Sequence, residues 1–298
     1  MTRMALVPLP ELLADARAGG YAVGYFEAWD AASLEAVVEA AEAERSPVVL
    51  GFGCLLVDED WLDRGGIEAF GSVGRPLVER ARVPACFLLN EAHTVAQAMR
   101  GLDAGFNAVM VHTSGSLDSV EAVRSLAEAA HARGAAIEGE LGSLPDAVGG
   151  EIVARGSSRT DPDEAAEFVD ATGVDCLAVS IGNVHTLQGK PVEVDLDLLA
   201  AIHAKVDVPL VVHGGTSFPP ESVAAAIARG VAKFNVGTAL KQAFLDGLSD
   251  AVATRAPRLG PHDLLGSHRR EDVLEAGKRR LVPVVRDLMR LYGSAGRA

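Results

Sequence analysis
Eight apolar, often β-branched runs recur along this chain, with Ala/Glu/Arg-rich helical stretches between them. They are 21–26 (YAVGYF), 47–53 (PVVLGFG), 84–90 (PACFLLN), 108–113 (AVMVHT), 136–142 (AIEGELG), 176–182 (CLAVSIG), 209–215 (PLVVHGG) and 232–238 (AKFNVGT). Helical stretches such as SLEAVVEAAEAE, HTVAQAMRGLDAG and DPDEAAEFVDATG follow them, several opening on Ser, Thr or Asp and closing just before Gly, as helix caps require. Strands apolar on both faces and joined through helices imply a parallel sheet covered on both sides. Eight such units close a barrel more naturally than they make an open sheet, and no GxGxxG follows the first run. The predicted fold is therefore an α/β (β/α)8 TIM barrel with extra terminal helices. It should occupy 1–298 as a single domain, with a helical extension from about 261, and 298 residues suit a barrel of roughly 250 plus such additions. Residues 143–162 (SLPDAVGGEIVARGSSRTDP) interrupt the rhythm as a long polar connection of the kind that forms lids and binding loops.

Composition limits the partners. A hydrophobic content of 49% supplies a sizeable core, while a net charge of −14 disfavours nucleic acid and anionic membranes. An anionic metabolite stays compatible, because a metal or local dipoles can reverse the field inside one cleft. Cys54, Cys86 and Cys176 lie far apart, so reduced buried thiols are expected rather than a disulfide framework. The first residues (MTRMALVPLPELL) lack a signal-peptide pattern, and no apolar run approaches the roughly 20 residues of a membrane span. A soluble, cytoplasmic protein is expected.

Metal-capable side chains recur at the ends of separate runs: Glu91, His112, Glu140, His185 and His213. Barrel enzymes carry their chemistry at the C-terminal ends of their strands, and imidazole and carboxylate are ligands for zinc and related ions. Glu138 and Glu140, two apart on one strand, should both point inward and would repel unless they share a cation or a proton. HGGTS and NVGTAL, after the seventh and eighth runs, suit an anionic group held by backbone N–H groups, with Gly214, Gly215, Thr216, Asn235, Gly237 and Thr238 as candidates. His93 suits a cap or a supporting position as well as a ligand. His131 and His203 read as surface residues within helices, and Lys278, Arg279 and Arg280 as a solvated helix face.

Taken with GYAVGYFEAWD, AEAERSPVVL, IEGELG, VDVPLVVHGGTS and GVAKFNVGTAL, these motifs make the chain resemble the class II, metal-dependent fructose-bisphosphate and tagatose-bisphosphate aldolase family over nearly its whole length. The resemblance implies a divalent metal, zinc first and Mn2+, Co2+ or Mg2+ as alternatives, with metal roles on His185 and His213 and an accessory one on Glu140. It also implies a homo-oligomer, dimer or tetramer. Where the family carries Leu-Asp-His-Gly, this chain reads Leu89-Asn90-Glu91-Ala92, and His112 stands where the family has Asp. His185-Thr186 replaces His-Gly, and Asn235-Val236-Gly237-Thr238 replaces Asn-x-Asp-Thr. A metal site with relocated ligands is expected. Asn90 and Glu91 are the candidates beside the reacting carbons, with Glu91 either ligand or base, and Glu151 or Asp146 would move the enolising proton. The expected reaction is cleavage of a carbon–carbon bond in a small, hydroxylated, anionic keto compound other than fructose 1,6-bisphosphate. A metal-assisted isomerase or epimerase is the alternative, and an inactive metabolite-binding barrel a further one.

Overall fold
A computed structural model describes residues 6–113, 119–148, 151–153, 157–185, 187 and 192–298. Residues 1–5 and Thr186, which bear on the leader and His-Gly readings, lie outside the described residues. The eight apolar runs all become strands. β1 (Val23–Ala28), β2 (Val48–Gly53), β3 (Ala85–Ala92), β4 (Ala108–Val111), β5 (Ala136–Leu141), β8 (Cys176–Val179), β9 (Leu210–Val212) and β10 (Val231–Val236) close a parallel barrel in the order β1-β10-β9-β8-β5-β4-β3-β2. Helices lie between consecutive barrel strands, so the chain is a (β/α)8 barrel.

Alternation along each strand divides the side chains between two cores. Phe26, Leu50, Phe87, Val109, Ile137, Leu177, Val212 and Phe234 face the helices in the outer one. Val23, Val49, Cys86, Ala108, Ala136, Cys176 and Val211 fill the lower interior, where Leu9, Leu12, Leu13 and Ala16 of the first helix (Leu9–Gly19) plug the barrel floor. Each buried Leu or Val contributes roughly 1.5–3 kcal/mol. The dry floor leaves polar side chains only the upper barrel, where loops admit water. All three cysteines are buried and unbridged.

The connection after β5 is more ordered than a plain loop. Asp146–Val148 (β6) and Glu151–Val153 (β7) pair as an antiparallel hairpin. It is pinned to the strand-end loop of β8, with Ala147 N–H donating to His185 O at 3.0 Å and His185 N–H to Pro145 O at 2.9 Å.

The C-terminal helix (Val273–Leu291) packs on the helices Ala31–Glu44 and Thr238–Ala253, burying Leu281, Val285 and Met289. Asp272 caps it, accepting from Leu274 N–H at 3.0 Å. Its basic cluster is only partly a solvated face: Lys278 is drawn in between Glu35 (3.0 Å) and Glu275 (3.3 Å), whereas Arg280 stays exposed beside Asp250. His203, read as a surface residue, tucks its ring against Gly230, where any added Cβ would lie 2.3 Å from Nδ1.

Candidate metal centre and cleft
The site is built from the upper barrel interior. Glu138 and Glu140 of β5 both point inward and are buried. Their mutual repulsion is relieved in two ways. Glu138 meets the fully buried Lys233 of β10 at 2.8 Å and His213 Nε2 at 2.9 Å. Burial raises its pKa, and the Lys233 and His213 charges outweigh that, so it stays ionised. Glu140 meets no lysine or arginine among the described residues and has only imidazoles at longer range, His112 at 3.7 Å and His213 at 3.8 Å. Burial, reinforced by Glu91 and Glu138 against His213, pushes its carboxyl to about 8, so it carries a proton at neutrality.

Asn90 and Glu91 are adjacent, and in a regular strand they would face opposite ways. Both enter the barrel because β3 bulges here: its register on β4 slips between Leu89 and Ala92, and Glu91 adopts a left-handed φ of 54°. Bulges at strand ends commonly re-aim side chains in this manner, and a left-handed non-glycine residue is strained. Asn90 Nδ2 donates to Glu91 Oε2 at 2.7 Å. Glu91 Oε1 is buried with no hydrogen-bond partner among the described residues. It lies 3.5 Å from His213 Nδ1 and 3.8 Å from His185 Nε2. Burial raises the Glu91 pKa, but the approach and charge of His213, helped by His185 and His112, hold it at about 2.

Glu91, His185 and His213 therefore offer three ligand atoms within 4.8 Å of one another. A buried carboxylate oxygen without a donor, facing two imidazole nitrogens, fits a divalent cation, and such ions favour these donors. His213 presents Nδ1 because Glu138 accepts from its Nε2, an arrangement typical of metal-binding histidines. Burial lowers the His213 pKa, and the Glu138 and Glu91 carboxylates outweigh it, raising it to about 10. The His185 pKa is lowered, chiefly by burial.

The other sequence candidates are placed more loosely. Glu140 Oε1 is 3.8 Å from His213 Nδ1, next to the triad. His112 faces Glu140 at 3.7 Å from a side chain 40% exposed, at the edge of the site. Gly214, Thr216, Asn235, Gly237 and Thr238 line a cleft of about 280 Å³ that also holds Asn90 and the triad. Gly215 is outside that lining, its N–H donated to Asn235 O at 2.9 Å. Gly214 needs to be glycine: its φ is 70°, and a Cβ there would lie 2.2 Å from Val184 O. Glu151 sits exposed on the hairpin outside the lining, whereas Asp146 enters it, 3.7 Å from His185 Nδ1. His93 supports the neighbouring loop, with Nε2 3.0 Å from Cys54 O.

Sequence reading overlooked Tyr25, Glu27, Lys233 and Lys241. A lysine amid the apolar run AKFNV was a signal, since an inward charge must meet a partner. Glu27 follows the first run as the other strand-end carboxylates follow theirs. Nothing marked Lys241, in the first turn of the helix Thr238–Ala253.

A family model described as "Fructose-bisphosphate aldolase class-II" matches residues 7–297. The chain is 34% identical to a fructose-bisphosphate aldolase of Geobacillus stearothermophilus, covering 99% of each chain. It is 30% identical to a sulfofructosephosphate aldolase of Alkalicoccus urumqiensis, again over 99% of each. Among solved structures, the YdjI aldolase of Escherichia coli K12 superposes with a TM-score of 0.78 at 25% identity, over 98% of this chain and 99% of that one.

Proposed function
The chain belongs to the class II fructose-bisphosphate aldolase family, a family of aldolase-type lyases generally dependent on a divalent metal, and from that premise we propose that Glu91, His185 and His213 hold such an ion and serve cleavage of a small, anionic, hydroxylated ketone. The observation that carries this reading is the unpartnered Glu91 Oε1 facing two imidazole nitrogens. Zinc is the leading candidate, given two imidazoles and one carboxylate. When bound, a divalent ion supplies Lewis-acid polarisation of a ketone carbonyl.

The protein's own groups supply the rest. Asn90 turns Glu91 through the 2.7 Å hydrogen bond and, lacking a titrating proton, cannot itself act as acid or base. Glu138 fixes the His213 ring. Asp146, not Glu151, is the hairpin carboxylate lining the cleft, and we assign proton transfer at the enolising carbon to it. Glu140 and His112 hold the far side of the site, with Glu140 keeping a proton until metal enters. Backbone N–H groups around Gly214, Gly237 and Thr238 face the substrate's anionic end.

Relatives named for fructose bisphosphate and for sulfofructosephosphate favour an anionic ketose. The change from Asp to Asn90 and the exchanged ligand at Glu91 argue against fructose 1,6-bisphosphate itself. They also favour a second reading, a metal-assisted isomerase or epimerase, since enolisation needs one base fewer than cleavage. The test incubates metal-loaded protein with dihydroxyacetone phosphate and short aldehydes in deuterated water. Aldol product with exchange at the carbon beside the ketone supports the lyase. Exchange without any carbon–carbon bond made or broken selects the isomerase. Asp146→Asn should abolish exchange while Glu151→Gln leaves it intact.

A further inference from the structure
The cleft has a second charged feature apart from the metal ligands. Glu27, at the end of β1, reaches across to the start of the helix Thr238–Ala253 and pairs with Lys241 Nζ. The pair has a berth made by absent side chains. A Cβ at Gly237 would lie 2.3 Å from Glu27 Oε2, and one at Gly53 would lie 3.0 Å from its carboxyl carbon. Two glycines on two different strand ends thus leave room for one carboxylate.

Charge makes the berth informative. The cleft lining carries Glu27, Glu91 and Asp146, against which Lys241 is the one Lys or Arg among the described residues. An anionic substrate entering there meets repulsion at every carboxylate, and backbone N–H groups carry only partial charge. Lys241 stands one helical turn from Gly237 and Thr238, the backbone groups assigned above to the anion. The side chains of Lys241 and Glu27 are 39% and 20% exposed, so both can re-pair when a ligand enters.

We infer that the Glu27–Lys241 pair is the substrate-reading element of the cleft: Lys241 binds the anionic terminus of the ketone, and Glu27, released from that pairing, accepts from a hydroxyl of the same ketone. The inference rests on the aldolase reading for its substrate class, but its geometry is independent of the metal ligands. Burial raises the Glu27 pKa, Lys241 opposes it and Glu91 adds to it, so the Glu27 charge leans on the Lys241 pairing.

Calorimetric titration of the metal-loaded protein with dihydroxyacetone phosphate and with uncharged dihydroxyacetone tests it. The wild type should prefer the phosphate ester. Lys241→Met should weaken the ester by about tenfold or more, as expected for loss of a charged hydrogen bond, and weaken dihydroxyacetone far less, so that the preference collapses. Lys241→Arg should restore most of the preference. Glu27→Gln should weaken both ketones alike, and Gly237→Ala, which crowds the carboxylate, should mimic it. Thermal melts confirm that each variant is folded. Equal binding of the two ketones by the wild type, or an unchanged ester affinity in Lys241→Met, overturns the inference. Loss of the aldolase reading would show separately, as no aldol product or exchange despite an intact Lys241 effect.

Discussion

Replacing Glu138 with Gln tests whether the site is organised from beneath. Glu138 lies 2.8 Å from the fully buried Lys233 and 2.9 Å from His213 Nε2. At that Lys233 separation, an effective dielectric of about 20 gives roughly 6 kcal/mol of attraction, much of it offset by desolvation of both ions. Removing one member of such a pair leaves the other charge buried, and the net loss is about 3–5 kcal/mol. That is a large share of the roughly 5–15 kcal/mol that holds a domain folded. Glu138→Gln also withdraws the acceptor that fixes the His213 ring, which should weaken metal binding by about 10–100-fold. The double variant Glu138→Gln/Lys233→Met removes the stranded ammonium, so it should recover about half or more of the stability loss without recovering metal affinity. Urea unfolding in the presence of chelator reads the first effect, and competition with a chromogenic chelator reads the second. A stability loss under about 1 kcal/mol in the single variant, or a double variant whose loss is the sum of both singles, would refute the reasoning.

Further outcomes follow from the same geometry. His213 and Glu140 are both raised, to about 10 and about 8, so in metal-free protein both hold protons through neutrality. Metal entry must expel them, so affinity should climb as pH rises through 8 towards 10, and calorimetry in buffers of different ionisation enthalpy should show proton release. Asp272 has a lowered pKa: burial raises it, and the His268, Leu274 and Ser267 hydrogen bonds outweigh that. Its stabilisation is present above the unfolded carboxylate value and fades as pH falls through the lower folded one. Asp272→Ala should cost about 0.5–2 kcal/mol by urea unfolding at neutral pH, and less in strong acid. Gly214→Ala, with φ at 70° and a Cβ 2.2 Å from Val184 O, should lower the melting temperature through strain of roughly 1–3 kcal/mol or more. An unchanged melting temperature would mean that the loop after β9 can shift.

The barrel was legible in the chain because its signal is local and repeated. An apolar run followed by a capped amphipathic helix reports its own secondary structure wherever it sits, and eight repeats leave few ways to close a sheet. Strand-end chemistry was legible for a related reason, since a barrel puts every strand's C-terminal end on one face. That is how His185, His213 and Glu91 could be grouped although Glu91 lies far from both histidines in the sequence. The hairpin within 143–162 was not legible, because its two strands are only three residues each and are held by backbone bonds to His185.

Residue identity also determined that Asn90 cannot titrate and that Glu138 and Glu140 need a cation or a proton to lie side by side. Only the tertiary structure decided which takes which: Lys233 comes from β10, across the barrel interior, to meet Glu138, leaving Glu140 to its proton, and the place of Lys233 depends on the closure of all eight strands. The same holds for Glu91, which reaches the two histidines through a one-residue bulge that no residue-type pattern announces. Glu27 and Lys241 meet because glycines at 53 and 237 leave space between separate strand ends. Sequence specifies which way each strand faces, since alternation is a property of one strand. Which side chains touch is a property of register between strands, and that exists only once the barrel is closed.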